Sequence, residues 1–338
     1  MPSFAGMTGL GTPIDPDARG WLWLDKNAVD CGGKREGDMA TPESSASLFA
    51  TLGHLKLVSG GHAPSRMGSQ VLADALWIKL RQEAREAYES APMLAPLFVE
   101  SILNQPSFEA AIFHRIASRL KNDVVGLGVI VDAFNRAVEA APALIGALRA
   151  DIAAVVERDP ATARFIEPFL YFKGFHALQN HRLANWLWTS GERDFALYLQ
   201  SRSSDVFQTD IHPAARIGKG VFLDHATGLV VGETAVIEDD VSLLQNVTLG
   251  GTGKHAGDRH PKVRTGAVIG AGAKILGNIE IGANARVAAG AVVLADVPAN
   301  ATVAGVPAKI LKTAEAAEVA REFAPPEGHL ADSFDFSI

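Results

Sequence analysis

The stretch GAVIGAGAKILGNIEIGANARV, residues 266–287, carries an aliphatic residue at every sixth position: Ile269, Ile275, Ile281 and Val287. A helix repeats near 3.6 residues and a strand at two, so neither period accounts for this spacing. A hexad instead supplies one short strand and one turn. Three hexads complete a triangular coil, and successive coils stack their anchors along a common interior. No single rung can bury a core, so the stack is the unit of stability.

The same register extends upstream through Ile211, Ile217 and Leu223, then Val231, Ile237, Leu243 and Leu249, and downstream to Val293. Two positions before the anchors stand small or aliphatic residues such as Ala215, Val221, Ala235, Val241, Ala267, Ala273 and Ala291. The phase breaks twice. Leu223 to Val231 is eight residues and Leu249 to Ile269 is twenty, each read as two residues beyond whole hexads. Such breaks mark places where the chain leaves the prism wall. Before the repeat, ALWIKLRQEAREAYES puts Leu76, Leu80, Ala84 and Ala87 on one helical face. Further helices are expected over 92–104, 107–122, 127–139 and 143–158, with Pro106, Pro142 and Pro160 near their boundaries, and two more on either side of Gly191. The fold class is therefore α+β. An all-helical domain over 71–206 precedes a left-handed parallel β-helix over 207–312 with a protruding loop at 250–264. Residues 1–70 read as a poorly ordered extension and 313–338 as a flexible tail.

The chain has 338 residues, 48% of them hydrophobic, and a net charge of -7. That balance argues against nucleic acid or an anionic membrane surface as a partner. Cys31 is the single cysteine, so neither an intrachain disulfide nor a cysteine-based metal cluster is possible. No leader-like N-terminus and no long apolar run is evident, so a cytoplasmic location is expected. The glycine-rich GGTGK at 250–254 resembles a phosphate loop but fails the pattern twice, with Thr248 where a glycine is needed and His255 where a hydroxyl is needed.

Polar residues concentrate at the interruptions: Asp210 and His212, Asp224 and His225, then Asp258, Arg259, His260 and Lys262. A neutral imidazole removes a hydroxyl proton while a carboxylate holds its tautomer, which makes His225 with Asp210 a candidate base and orienting pair. Arg259 and His260 suit a carboxylate, and Asp224 suits an ammonium group, so together they suit an amino-acid zwitterion. With no thiol nearby, direct acyl transfer to an amino-acid hydroxyl is the first reading. A zinc site built from His255, His260 and either His225 or His212 is the alternative, and no metal is expected. His176 and His181 are read as packing or hydrogen-bonding residues.

The chain from about Ala73 to Lys309 resembles the serine acetyltransferases. The resemblance rests on RDP at 158–160, KGFHALQNHR at 173–182, FQTDIHPAARIGKG at 207–220, LDHATGLVVGETAVI at 223–237, VTLGGTGKHAGDRHPK at 247–262, GAGAKILGNIEIG at 270–282 and AGVPAKI at 304–310. It implies acetyl transfer from acetyl-CoA, a co-substrate and not a resident cofactor, to L-serine in cysteine biosynthesis. It also implies a homotrimer built through the prisms, with trimers usually paired through the helical domains. On the matching positions it implies His225 as general base, Asp210 as its orienting residue, and Asp159, Asp224, Arg259 and His260 as serine contacts. Acetyl-CoA contacts are implied near Gly250, Gly251, Thr252, Gly253, Ala271, Ala273 and Lys309. The terminal Ile338 matches the end by which the family engages O-acetylserine sulfhydrylase.

Overall fold

A computed structural model describes residues 66–253 and 256–313. Cys31, Lys254, His255 and Ile338 lie outside the described residues. The helical part consists of α1 (Arg66–Ser90), α2 (Ala95–Phe98), α3 (Phe108–Leu120), α4 (Leu127–Ala140), α5 (Ala143–Arg158), α6 (Ile166–Leu170), α7 (Lys173–Thr189) and α8 (Arg193–Phe207). Leu76, Leu80, Ala84 and Ala87 all face the core, as their spacing requires. Ser107 caps α3 by accepting from the Ala110 N–H at 3.2 Å.

The expected helix over 92–104 is three pieces: a 3-10 turn at Pro92–Leu94, α2, and a π-helical turn at Val99–Leu103. Pro92 and Pro96 lack N–H groups and are tolerated only in first turns, so each restarts the helix. The short α6 was not legible, because five residues carry no readable period. Its first N–H, at Ile166, is met by the buried Glu83 carboxylate at 2.9 Å.

From Thr209 the chain forms a triangular prism with three sheets. Sheet 1 holds β1 (Thr209–Ile211), β4 (Leu229–Val231), β7 (Thr248–Gly250), β10 (Lys274–Leu276) and β13 (Val292–Val293). Sheet 2 holds β2 (Arg216–Ile217), β5 (Val236–Ile237), β8 (Lys262–Val263) and β11 (Glu280–Ile281). Sheet 3 holds β3 (Phe222–Leu223), β6 (Ser242–Leu243), β9 (Val268–Ile269), β12 (Arg286–Val287), β14 (Ala301–Ala304) and the antiparallel β15 (Lys309–Thr313). Ile211, Val231, Leu249, Ile275 and Val293 stack directly in sheet 1, and Leu223, Leu243, Ile269 and Val287 in sheet 3. Truncating one such fully buried anchor, for example Ile275, costs about 2–5 kcal/mol.

One reading of the repeat needs correction. The second interruption adds eight residues, not two, because the coil from Leu249 to Ile275 spans 26 positions against 18 from Val231 to Leu249. Val263 is the anchor that went unrecognised: it stacks between Ile237 and Ile281 in sheet 2. The whole excess therefore lies in the corner between sheets 1 and 2.

Many bonds between coils run from the N–H groups of one coil to carbonyls of the next, as from Gly218 to Ile237 at 2.8 Å and from Arg216 to Ala235 at 3.1 Å. The equivalent carbonyls of the first coil have no predecessor to serve them. Helix α7 takes that place. Arg182 donates to the carbonyls of Ile217 (3.4 Å) and Gly218 (2.6 Å), and Asn185 to those of Pro213 (2.8 Å) and Ala215 (3.2 Å). Arg182 is held by a bidentate pair to the buried Asp151 at 2.8 and 2.9 Å. Among the described residues no helix is long and apolar enough to cross a membrane.

His176 and His181 pack inside α7, where burial pushes both imidazoles down to about 3. Unfolded histidine binds its proton near 6.5, so between that value and about 3 the unfolded chain holds protons that the native chain refuses, and stability falls as pH falls. Each contributes a slope approaching about 1.4 kcal/mol per pH unit within the window. Urea midpoints measured from pH 7 to 5 are expected to drop accordingly; a flat profile would show that these rings do not govern acid stability.

Candidate active site

The corner between β3 and β4 must turn the chain from sheet 3 to sheet 1 with two residues more than the corner that follows, from Leu243 to Leu249. It does so by two tight turns in succession, with the Asp224 carbonyl accepting from Ala226 N–H at 2.5 Å and the His225 carbonyl from Thr227 N–H at 2.8 Å. His225 and Ala226 both take left-handed backbone, φ 54° and 59°. Comparable corner positions use residues that tolerate it, such as Asn246 and Asn284. A left-handed alanine or histidine costs about 1–2 kcal/mol, so the surroundings must hold this one in place.

They do so from several sides. Asn246 N–H donates to the Thr227 carbonyl at 2.7 Å, and Gly228 N–H to the Gln208 carbonyl at 2.8 Å. Lys173, at the start of α7, donates to Gln208 Oε1 at 3.2 Å and also to the Thr227 hydroxyl. Beside it, Gly174 lets α7 approach the turn: a β-carbon there would stand 2.0 Å from the Leu223 carbonyl oxygen and 3.2 Å from the Ala226 methyl. Ala226 is buried as a result, and the His225 side chain projects outwards, 74% exposed.

His225 Nε2 lies 3.7 Å from Asp224 Oδ1. Asp159, at the end of α5, accepts from Ala161 N–H at 2.9 Å and the Thr162 hydroxyl at 2.6 Å. Its neighbour Arg158 fastens this segment to the second coil through the Asp240 carbonyl (2.9 Å) and carboxylate (3.1 Å). Burial holds the Asp224 carboxyl above its ordinary range; the adjacent imidazole pulls it down and the Asp159 charge pushes it up. Asp159, Asp224 and His225 thus form one cluster on the edge between sheets 3 and 1.

Arg259 and His260 lie on the other edge of sheet 1, at the end of the long insertion. Arg259 Nη2 donates to Glu233 at 2.7 Å, and its backbone N–H to the Thr234 hydroxyl at 3.0 Å. His260 is buried against Gly232, where a β-carbon would come within 2.0 Å of the ring. Burial, followed by the Arg259 charge, lowers its imidazole; Glu233 opposes. His212 closes its own turn by accepting from Ala214 N–H at 3.1 Å, with its ring edge-on to Trp188.

The structure does not bring all the expected residues together. Asp210 projects from β1 and accepts from Gln200 at 2.7 Å. Among the described residues no hydrogen bond or ion pair joins His225 to Asp210, Arg259 or His260. Of the expected acetyl-CoA contacts, Gly250, Gly251 and Ala271 are half-buried, and Thr252, Gly253 and Lys309 are exposed. Ala273 is a correction: it is fully buried in the prism, its carbonyl takes the Thr248 N–H, and it offers a ligand no surface. Lys173, Gly174, Glu233 and Thr234 were not singled out from sequence, although each stands in one of the motifs above; their partners are distant in the chain and leave no periodic trace.

Residues 76–180 match the family model for the serine acetyltransferase N-terminal region, and 260–295 match the bacterial transferase hexapeptide model of six repeats. The serine acetyltransferase of Salmonella typhimurium is 51% identical over 238 residues, 70% of this chain and 87% of that protein. The chain belongs to the serine acetyltransferase family. It is an acyltransferase. The solved serine acetyltransferase of Brucella abortus in complex with coenzyme A is 58% identical, with a TM-score of 0.72 over 73% of this chain and 98% of that one. A serine acetyltransferase solved in complex with cysteine is 50% identical, with a TM-score of 0.69 over 70% of this chain and 99% of that one.

The close approach at Gly174 can be tested within this family fold. Gly174→Ala forces either α7 or the 224–228 corner to move, an overpacking cost of about 1–3 kcal/mol, visible as a lower urea midpoint. Acyl-transfer turnover measured alongside reads whether the corner matters to the reaction, since a displacement of about 1 Å at a reacting group costs on the order of 10²-fold. Parental stability and turnover in this variant would show that the contact does not set the corner.

Proposed function

We propose that the protein transfers acetyl from acetyl-CoA to the hydroxyl of L-serine, giving O-acetyl-L-serine and CoA for cysteine biosynthesis in the cytoplasm. The observation that carries this reading is the exposed His225 imidazole, projecting from a strained corner beside two carboxylates. His225 is the general base. Its neutral ring takes the serine hydroxyl proton as the oxygen attacks the thioester carbonyl carbon. The C–S bond then breaks, and the imidazolium returns its proton to the departing thiolate. Asp210 orients the ring once the exposed side chain turns towards sheet 1. Asp224 and Asp159 accept from the serine ammonium, while Arg259 and His260 bind its carboxylate.

These two sets flank sheet 1 from opposite edges. In a homotrimer of parallel prisms the His225 edge of one subunit faces the Arg259 edge of the next. The acetyl-CoA arm lies in the groove between them, along Gly250, Gly251, Thr252, Gly253, Ala271 and Lys309, and a backbone N–H of the 250–253 segment meets the thioester oxyanion. Trimers pair through their helical domains. The relatives solved with coenzyme A and with cysteine support the reading, since cysteine carries the same ammonium and carboxylate as serine. Ile338, outside the described residues, is proposed to bind O-acetylserine sulfhydrylase.

Purified protein with acetyl-CoA is expected to release CoA with L-serine in preference to homoserine or sugar acceptors. His225→Ala should lower that rate by about 10²–10⁴-fold while the assembly stays intact; near-parental turnover would remove His225 from the base role. Deleting Ile338 should abolish co-elution with the sulfhydrylase and leave acetyl transfer unchanged, and undiminished co-elution would refute the tail assignment.

A further inference from the structure

Thr234 lies in the corner between β4 and β5, and every polar atom it has is committed to the segment that carries Arg259 and His260. Its hydroxyl oxygen accepts from Arg259 N–H at 3.0 Å and from His260 N–H at 3.1 Å. With both lone pairs taken, its one hydrogen lies between His260 Nδ1, 2.9 Å away, and the Asp258 carboxylate, which the same hydroxyl helps to hold charged. The Thr234 backbone N–H also approaches Nδ1, at 3.2 Å. An amide N–H can only donate, so Nδ1 is an acceptor and the ring proton resides on Nε2. The Thr234 carbonyl accepts from Lys262 at 2.9 Å, and the same ammonium donates to the His260 carbonyl at 2.7 Å and to Asp258 at 2.6 Å. All three Lys262 donors are thus used in tying the two residues together.

We propose that Thr234 is a positioning residue that fixes His260 as the neutral tautomer with its proton on Nε2, aimed as a hydrogen-bond donor at the acceptor substrate's carboxylate. This rests on the reading of His260 as a carboxylate contact. Gly232 completes the arrangement, because a β-carbon there would occupy the place of the Nε2 edge, 2.0 Å from it. Nε2 has no hydrogen-bond partner among the described residues. The groups facing the ring, Arg259, Lys262 and His212 on one side of the balance and Glu233 on the other, together with burial, keep the imidazole below its ordinary range. Division of labour follows: Arg259 brings the charge, and His260 brings a directed neutral donor. A protonated ring would set an N–H at Nδ1 against the Thr234 amide N–H and lose this geometry.

The test reads the tautomer and the kinetics separately. In the full-length protein with 15N-labelled histidine, the His260 signals, assigned with His260→Gln, are expected to report a protonated Nε2 and an unprotonated Nδ1 at pH 7.5. Thr234→Val removes the hydroxyl and should raise KM for serine about tenfold, with kcat and KM for acetyl-CoA little changed, as loss of ground-state binding requires. Thr234→Ser should restore both the tautomer signature and KM. A proton on Nδ1 or a charged ring in the parental protein overturns the proposal without need of any variant. So does a Thr234→Val protein with parental signals and parental KM. Parental protein that fails to acetylate serine would instead refute the function proposed above and leave the tautomer reading to stand or fall on the 15N signals.

Discussion

A solenoid of parallel coils leaves a row of unpaired carbonyls at its first coil, and the way this chain satisfies them governs the rest of the molecule. Buried, unpartnered carbonyls cost about 1–3 kcal/mol each, so an uncovered end would destabilise the prism where it begins. Helix α7 supplies the missing donors through Arg182 and Asn185. The arginine can enter the interior only because Asp151 meets it there. Asp151 is itself saturated, taking two bonds from Arg182, one from Gln179 at 2.9 Å and one from Val221 N–H at 3.2 Å. Removing one member of such a buried pair leaves the other charge stranded, a cost of about 3–5 kcal/mol. The helical domain is therefore the N-terminal cap of the prism as well as a neighbour to it.

The cap also reaches the corner that carries His225. The helix that carries Arg182 starts with Lys173 and Gly174, whose contacts hold Thr227, Leu223 and Ala226. Helix position and corner conformation are thus one constraint. Left-handed backbone at both His225 and Ala226 would relax in an isolated turn, and it survives because the first coil and its cap over-determine it. The result is an imidazole pushed into solvent by the backbone beneath it, with two carboxylates brought in by α5 and by the corner itself.

Much of this could be read from the chain. Twelve hexad anchors from Ile211 to Val293 were legible because neither a helix nor an ordinary strand repeats strictly at six, and eleven of them are buried, Ile217 at the capped end being partly so. The helical face of Leu76, Leu80 and Ala84 was legible for the same reason, period alone. What escaped was whatever depends on pairing across the chain. Val263 was lost because eight inserted residues separate it from the preceding phase, and that loss made the insertion look short. Ala273 looked accessible from its glycine-rich motif, although its hexad position two before Ile275 directs it inwards. Thr234 and Gly174 give no local signal, since their partners lie about 26 and 50 residues away in a register that only the folded ladder supplies.

The polar clusters at the interruptions depart from the geometry of a regular coil. In an unbroken stack each corner residue is covered above and below by its equivalents, so a side chain there meets mainly its neighbours in the adjoining coils, as Arg264 meets Glu238 and Glu280. Two added residues at the corner after Leu223 free His225 from that register, and eight added residues after Leu249 return Arg259 and His260 to the prism beside a corner whose own residues, Glu233 and Thr234, receive them. Both departures border sheet 1, whose outward face carries Asp210 between them. The two departures therefore set Asp159 and Asp224 beside His225 on one edge of sheet 1, and Arg259, paired with Glu233, beside His260 on the other.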